Sequence, residues 1–358
     1  MQFMQSRKSL VIIFASAILC GAIFAYRHWR QKDALTVRLE MLGQVPADTD
    51  AIFFLDFNSL RSSPFLAQIL AWAPQSSQEP DYAQFMKETG FNYERDLDRV
   101  AIAIVPAGAG SNYFLEAEGR FDRKKIEAYA AKYGKPQNVS GRTFFGLPVG
   151  NSTPSNSASG NSTAGNSSRT VYLTFLRDDR VALSSTPLAL TVNAPRQVSS
   201  EEWREHFRRL AGVPIFGVFF QDSSLLNYAQ QAPGGYRSPQ LAALLAQLEW
   251  LTIAAKPEGD VLRVVADGES SSETVVRQLQ EMLGGIALLA RAGLSEPRTR
   301  RDVDPQVREA LVGLLDSADI QKMDRGTSKS VRLSFIVTPK LLEVGHTAAT
   351  APGQLGGR

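Results

Sequence analysis

From Ser9 to Tyr26 the chain runs for eighteen residues without a charge (SLVIIFASAILCGAIFAY). A helix of that length crosses a hydrocarbon core of ~30 Å at a rise of ~1.5 Å per residue, with little to spare. Arg7 and Lys8 precede the run, Arg27, His28 and Arg30 follow it, and Tyr26 and Trp29 stand where interfacial aromatics gather. The pattern predicts a tail of residues 1–8, a transmembrane signal-anchor over residues 9–26 whose partner is the lipid bilayer, and a juxtamembrane linker over 27–44. Cleavage is the competing reading. Ala15-Ser16-Ala17 is its one small-x-small site and comes too early, and Leu19 stands before Cys20 where a lipoprotein signal needs a small residue. Large domains translocate largely regardless of small charge biases, so a single-pass protein of the inner (plasma) membrane is expected, with its body on the extracytoplasmic or periplasmic side.

Beyond the linker the period shortens. Ala51 to Phe57 (AIFFLDF) reads as a strand, followed by a helical pattern from Ser59 with Leu60, Phe65, Leu66, Ile69 and Leu70 on one side. Further strands are predicted at Val100 to Val105, Tyr113 to Gly119, Thr143 to Val149, Val171 to Leu176 and Val181 to Ser184, with turns at Ala107 to Gly110 and at Asp178-Asp179 making antiparallel hairpins. Asp122 is placed to cap a helix carrying Ile126, Tyr129, Ala130 and Tyr133. The class is α+β, antiparallel sheets with packed helices.

The order then recurs. Ile52-Phe53 and Leu55-Asp56-Phe57 are matched by Ile215-Phe216 and Val218-Phe219-Phe220, and Val100 to Ala103 by Leu251 to Ala254. Ala117-Glu118-Gly119 is matched by Ala266-Asp267-Gly268, and Val171 to Phe175 by Val331 to Phe335. The second helix opens with Ser270 and Glu273 at capping-box spacing and continues through Val276, Leu279, Leu283, Ile286 and Ala290. Two similar tandem units are therefore expected, over 45–197 and 198–344, against the alternative of one non-repetitive α+β domain. Residues 151–170 repeat Asn, Ser and Gly with almost nothing to bury and read as a flexible loop, and 345–358 as a disordered tail. Asn138, Asn151, Asn161 and Asn166 begin Asn-x-Ser/Thr triplets, which a tract of this composition generates by chance.

Composition narrows the function. Lys and Arg number 39 against 36 Asp and Glu, but Arg7, Lys8, Arg27, Arg30 and Lys32 all precede the first acidic residue; without them 34 basic face 36 acidic residues. A body so balanced lacks the clustered cations that nucleic acid requires. Cys20, the lone cysteine, lies in the apolar run, which leaves the body no disulfide and no thiolate. His28, His206 and His346 have no partners at metal-ligand spacing, no Gly-x-Ser-x-Gly elbow occurs, and no Gly-Lys-Ser/Thr follows Gly108 and Gly110. Glu116 and Glu118 alternate on one strand face, read as solvated, and Arg298, Arg300 and Arg301 sit beside Asp302 and Asp304 in a solvated loop. Asp56 is the one polar residue inside an apolar strand, with capping of the helix at Leu60 or pairing with Arg61 as its structural explanation. No catalytic, cofactor or metal residue is assigned.

Val45-Pro46-Ala47-Asp48-Thr49, Asp56, Leu60-Arg61-Ser62-Ser63-Pro64 and Asp96-Leu97-Asp98-Arg99-Val100 together resemble the opening of a family of uncharacterised bacterial single-pass membrane-anchored proteins. The resemblance spans about sixty residues, implies a bacterial, extracytoplasmic setting and lends no activity. The expectation is a non-enzymatic binding or interaction module of the cell envelope with a protein or envelope-surface partner. An enzyme with a site between the two units, and a bitopic component of a secretion or division machine, are the alternatives.

Overall fold

In the computed structural model, the described residues are 35–65, 67, 80–107, 110–139, 141–149, 169–191, 200–220, 239–296, 303–326 and 328–350. The apolar run 9–26, His28, the loop 151–168 and Arg298 to Asp302 lie outside them, and no described helix is long and apolar enough to cross a membrane.

Twelve strands form one antiparallel sheet: β1 (Ala51–Asp56), β2 (Leu97–Ala107), β3 (Gly110–Gly119), β4 (Lys135–Val139), β5 (Arg142–Val149), β6 (Arg169–Arg177), β7 (Arg180–Ser184), β8 (Ile215–Phe220), β9 (Trp250–Glu258), β10 (Val261–Ser270), β11 (Asp319–Arg325) and β12 (Ser328–Val337). Its order is β11-β12-β10-β9-β8-β1-β2-β3-β7-β6-β5-β4. The α+β class with antiparallel pairing is as expected, but the sheet is single where separate sheets were anticipated.

The helices are α1 (35–42), α2 (Phe57–Leu60), α3 (Pro80–Thr89), α4 (Tyr93–Asp96), α5 (Arg123–Tyr133), α6 (Glu201–Arg209), α7 (Pro239–Leu245), α8 (Glu273–Ser295), α9 (Pro305–Asp316) and α10 (Pro339–Thr350). Most starts have a local cause. Asp122 accepts from Lys125 N and Asp304 from Gln306 N, each satisfying a first-turn donor. The cap of α8 is Ser272, whose side chain accepts from Val275 N; the expected Ser270 instead donates to the Gln247 carbonyl, so the helix begins two residues later than its spacing suggested. The expected tail is also corrected, because α10 carries helix through 345–350.

The two halves of the chain meet at the pair β1 and β8, where Phe54 stacks on Phe216 at 5.0 Å. From that seam each half runs outward by the same path: β1, β2, β3, β7, β6 on one side and β8, β9, β10, β12, β11 on the other, with the hairpin β4–β5 added at the edge of the first. By position, β12 corresponds to β7, beside the third strand; the match of Val331 to Phe335 with β6 is one strand out.

Side chains alternate between the two faces of a strand. One face receives α5, around Ile126, Phe145, Leu173 and Phe175, and α8, around Val275, Val276, Leu279 and Val331. The other holds the largest core, closed over the seam by α1 and α6 through Met41, Leu42, Trp203 and Phe207 against Ile52, Phe54, Phe216 and Val218. Residues 35–44, expected as linker, are thus part of the fold: Arg38, Met41 and Leu42 are at most 1% exposed.

Candidate functional site

The face beneath α1 carries polar groups at both ends of β2, β3 and β7. At one end, the register sets Asp56 opposite Arg99, Arg99 opposite Glu118 and Glu118 opposite Arg180 on four adjacent strands. Arg99 donates to Glu118 at 2.7 Å and Arg180 to Glu118 at 3.3 Å, while Asp56 lies 3.7 Å from Arg99. From above, α1 adds Arg38, 3.7 Å from Asp56, and Glu40, 3.4 Å from Arg180 and 3.3 Å from Arg177.

Glu116, fully buried, meets Arg180 at 3.4 Å. The solvated face expected for Glu116 and Glu118 is therefore wrong: α1 covers it, and Arg180, distant in sequence, neutralises it. Arg38 also donates to the Leu210 carbonyl at 2.9 Å and lies over the Phe54 ring. Burial pulls its guanidinium below the ordinary arginine value, and Asp56 works against that fall. Asp56 caps α2 by accepting from Ser59 N at 3.0 Å, as one reading of the sequence required; the other fails, because Arg61 pairs with Asp98 at 2.8 Å. Four cations and four carboxylates cancel, so this cluster presents no net charge to a ligand. Its chemistry is to hold α1 and the strand register, since slipping one strand past its neighbour would part the opposed charges.

The second half repeats part of it. Asp267, matching Glu118, takes two hydrogen bonds of 2.9 Å from Arg332 on β12. His206 on α6 is buried against Trp250, ring centroids 4.3 Å apart, with Nδ1 3.9 Å from Glu269, which accepts from Arg209 at 2.7 Å. The sequence signal for this relation was present: Leu42, Val45 and Pro46 at and beyond the end of α1 parallel Leu210, Val213 and Pro214 after α6, which brings Arg38 and His206 into correspondence.

At the other end of the same strands, about six residues or ~20 Å away, lies a cavity of about 710 Å³. Its floor is Val105 and Pro106 of β2, Asn112 and Tyr113 of β3, and Ser184 of β7. One wall is the loop Pro46-Ala47-Asp48; the other is the chain after β7, with Thr186, Thr191 and the short 3-10 turn Leu188–Leu190. Ser184 donates to the Tyr113 carbonyl at 2.9 Å and accepts from Thr186 N, Ser185 donates to Asn112 at 3.0 Å, and Thr191 donates to the Leu188 carbonyl at 2.9 Å. These bonds fix the rim. Sequence reasoning missed the cavity, since its walls come from three separate segments. Neither Asp56 nor His206, the two polar residues singled out beforehand, lines it.

No protein-family model and no curated protein matches the chain. Among solved structures, crystal form III of TP0453 aligns with a TM-score of 0.45 at 8% identity, over 86% of this chain and 97% of that one. Crystal form I of the same protein gives 0.42 at 9% identity, over 86% and 96%.

Proposed function

We infer that this is a single-pass envelope protein, held by residues 9–26 with its body outside the cytoplasm, and that it acts by binding rather than by chemistry. The observation that carries the binding role is the 710 Å³ cavity, within the range that small-ligand sites occupy. It stands where the first half departs from the plan of the second. Four residues separate Pro46 from β1, whereas Pro214 leads directly into β8, and the 3-10 turn follows β7 in the stretch that joins the halves. In a duplicated fold, additions to one copy are a common place for a binding surface. The polar groups beneath α1 pair with one another, and Arg38, Asp56, Glu116 and Arg180 among them are buried, which supports a structural role for them and favours the larger cavity as the binding site. The resemblance at Val45 to Pro64 supports the bacterial, extracytoplasmic setting.

The setting is tested by fusing to the C-terminus an alkaline phosphatase that is active only outside the cytoplasm. High activity in cells, with a dark green-fluorescent fusion at the same point, is the expected result. An inactive phosphatase with a bright fluorescent fusion would place the body in the cytosol and overturn the reading.

A further inference from the structure

The lining of the cavity restricts its ligand more than its size does. Among the described residues it contains no Lys, Arg or His, and its single acidic side chain is Asp48, exposed on the loop wall. A phosphate, carboxylate or sulfate would find no counter-charge there and one repelling carboxylate. A bare hydrocarbon fits no better, because filling the site with it would strip water from the Asn112 amide and the Thr186 hydroxyl without replacing their hydrogen bonds.

An extended peptide is disfavoured on other grounds. Peptides that join a sheet use a free strand edge, and the floor offers little of one: β1 pairs with β2 as far as Ile104 and β7 with β3 as far as Phe114, beyond which Pro106 has no N–H and both backbone groups of Tyr113 are bonded to Ser185.

What remains is a compact, uncharged molecule with apolar patches and groups that both donate and accept. We propose that the cavity binds a neutral saccharide, its C–H faces lying on Pro46, Pro106 and Leu188 and its hydroxyls pairing with Asp48, Asn112 and Thr186. The assignment rests on the reading of the protein as a binding module and adds the class of ligand.

The test is isothermal titration of the full chain in a polyoxyethylene detergent, which carries no sugar. The probes are cellotriose, maltotriose, chitotriose and mannotriose, with trigalacturonic acid as the anionic comparator. At least one neutral trisaccharide should bind, and trigalacturonic acid at least tenfold more weakly. Asn112→Ala and Asp48→Asn should each weaken binding about tenfold, and Leu188→Trp, at a site 74% exposed, should change affinity without lowering the melting temperature. The proposal is overturned if no neutral trisaccharide binds, if the acidic sugar binds as well, or if all three variants bind like the parent. Failure here with an active phosphatase fusion would remove the saccharide and leave the envelope reading standing; an inactive fusion would remove that reading whatever the sugars do.

Discussion

Arg180 on β7 and Glu116 on β3 meet at 3.4 Å inside a sheet face from which water is excluded, with side chains 5% and 0% exposed. Burying both is costly, and Arg180 also faces Glu118 and Glu40, which spreads its charge over three carboxylates. Removing one member of a buried ionic cluster costs more than the cluster contributes, since the remaining charges stay desolvated. Arg180→Met should therefore destabilise the fold by about 3–5 kcal/mol in urea unfolding. Adding Glu116→Gln should restore part of that loss, a coupling of roughly 0.5–3 kcal/mol in the double-mutant cycle. Additive losses would show that the two do not act together.

Arg38 joins the two halves, with its hydrogen bond to Leu210 in the second and its contact with Asp56 in the first. Arg38→Met keeps the stem but removes both; Asp56 retains Arg99 and the Ser59 amide. A loss of about 1–3 kcal/mol is expected, with hydrogen exchange accelerated in α1 and at the β1–β8 seam before the outer strands. Exchange that rises first at β4 or β11 would contradict this order.

Gly119, the last residue of β3, and Gly268, two residues before the end of β10, are matched in the two halves, but their surroundings differ. A methyl on Gly119 would run into the Asp96 carbonyl, which is backbone, whereas on Gly268 it would meet the end of the Leu248 side chain at 2.8 Å. Backbone cannot step aside as a leucine terminus can. Gly119→Ala should cost about 1–3 kcal/mol and Gly268→Ala clearly less, read as midpoints in the same denaturant series.

Much of the sheet was legible from periodicity, and the failures share one cause. The central strands announce themselves by apolar residues on both faces, as in Ile52, Phe53, Phe54 and Leu55. The edge strands β4 (KPQNV) and β11 (DIQKMDR) are polar and were not anticipated, because an edge needs pairing on one side only and is kept charged against aggregation. The helix α1 was hidden by Arg38 in its buried face, and with it the burial of Glu116, which depends on partners 64 and more residues away in the chain. Local pattern could show that Asp56 was unusual and that it could cap α2; it could not show Arg38 or Arg99 beside it. The cavity left no local signal at all.

Acid should loosen one contact between helices before the rest. Glu88 on α3 accepts from Lys132 and Tyr133 of α5 at 2.9 and 2.8 Å, and these bonds hold its carboxyl down to about 2. A carboxylate whose pKa falls on folding contributes stability fully present above its unfolded value of ~4.3, and that contribution is lost as pH descends toward 2. Hydrogen exchange in α3 should accelerate over that window, and Glu88→Gln should flatten the dependence. An unchanged profile in the variant would assign the effect elsewhere.

The central claim is an open binding cavity held on the far side of a membrane, and one measurement addresses both halves of it. Leu188 stands at the cavity rim, 74% exposed, and Cys20 is the chain's single native thiol. In a Cys20→Ala, Leu188→Cys variant, a membrane-impermeant maleimide should label intact cells as completely as lysed ones. Labelling that appears only after lysis would contradict the account.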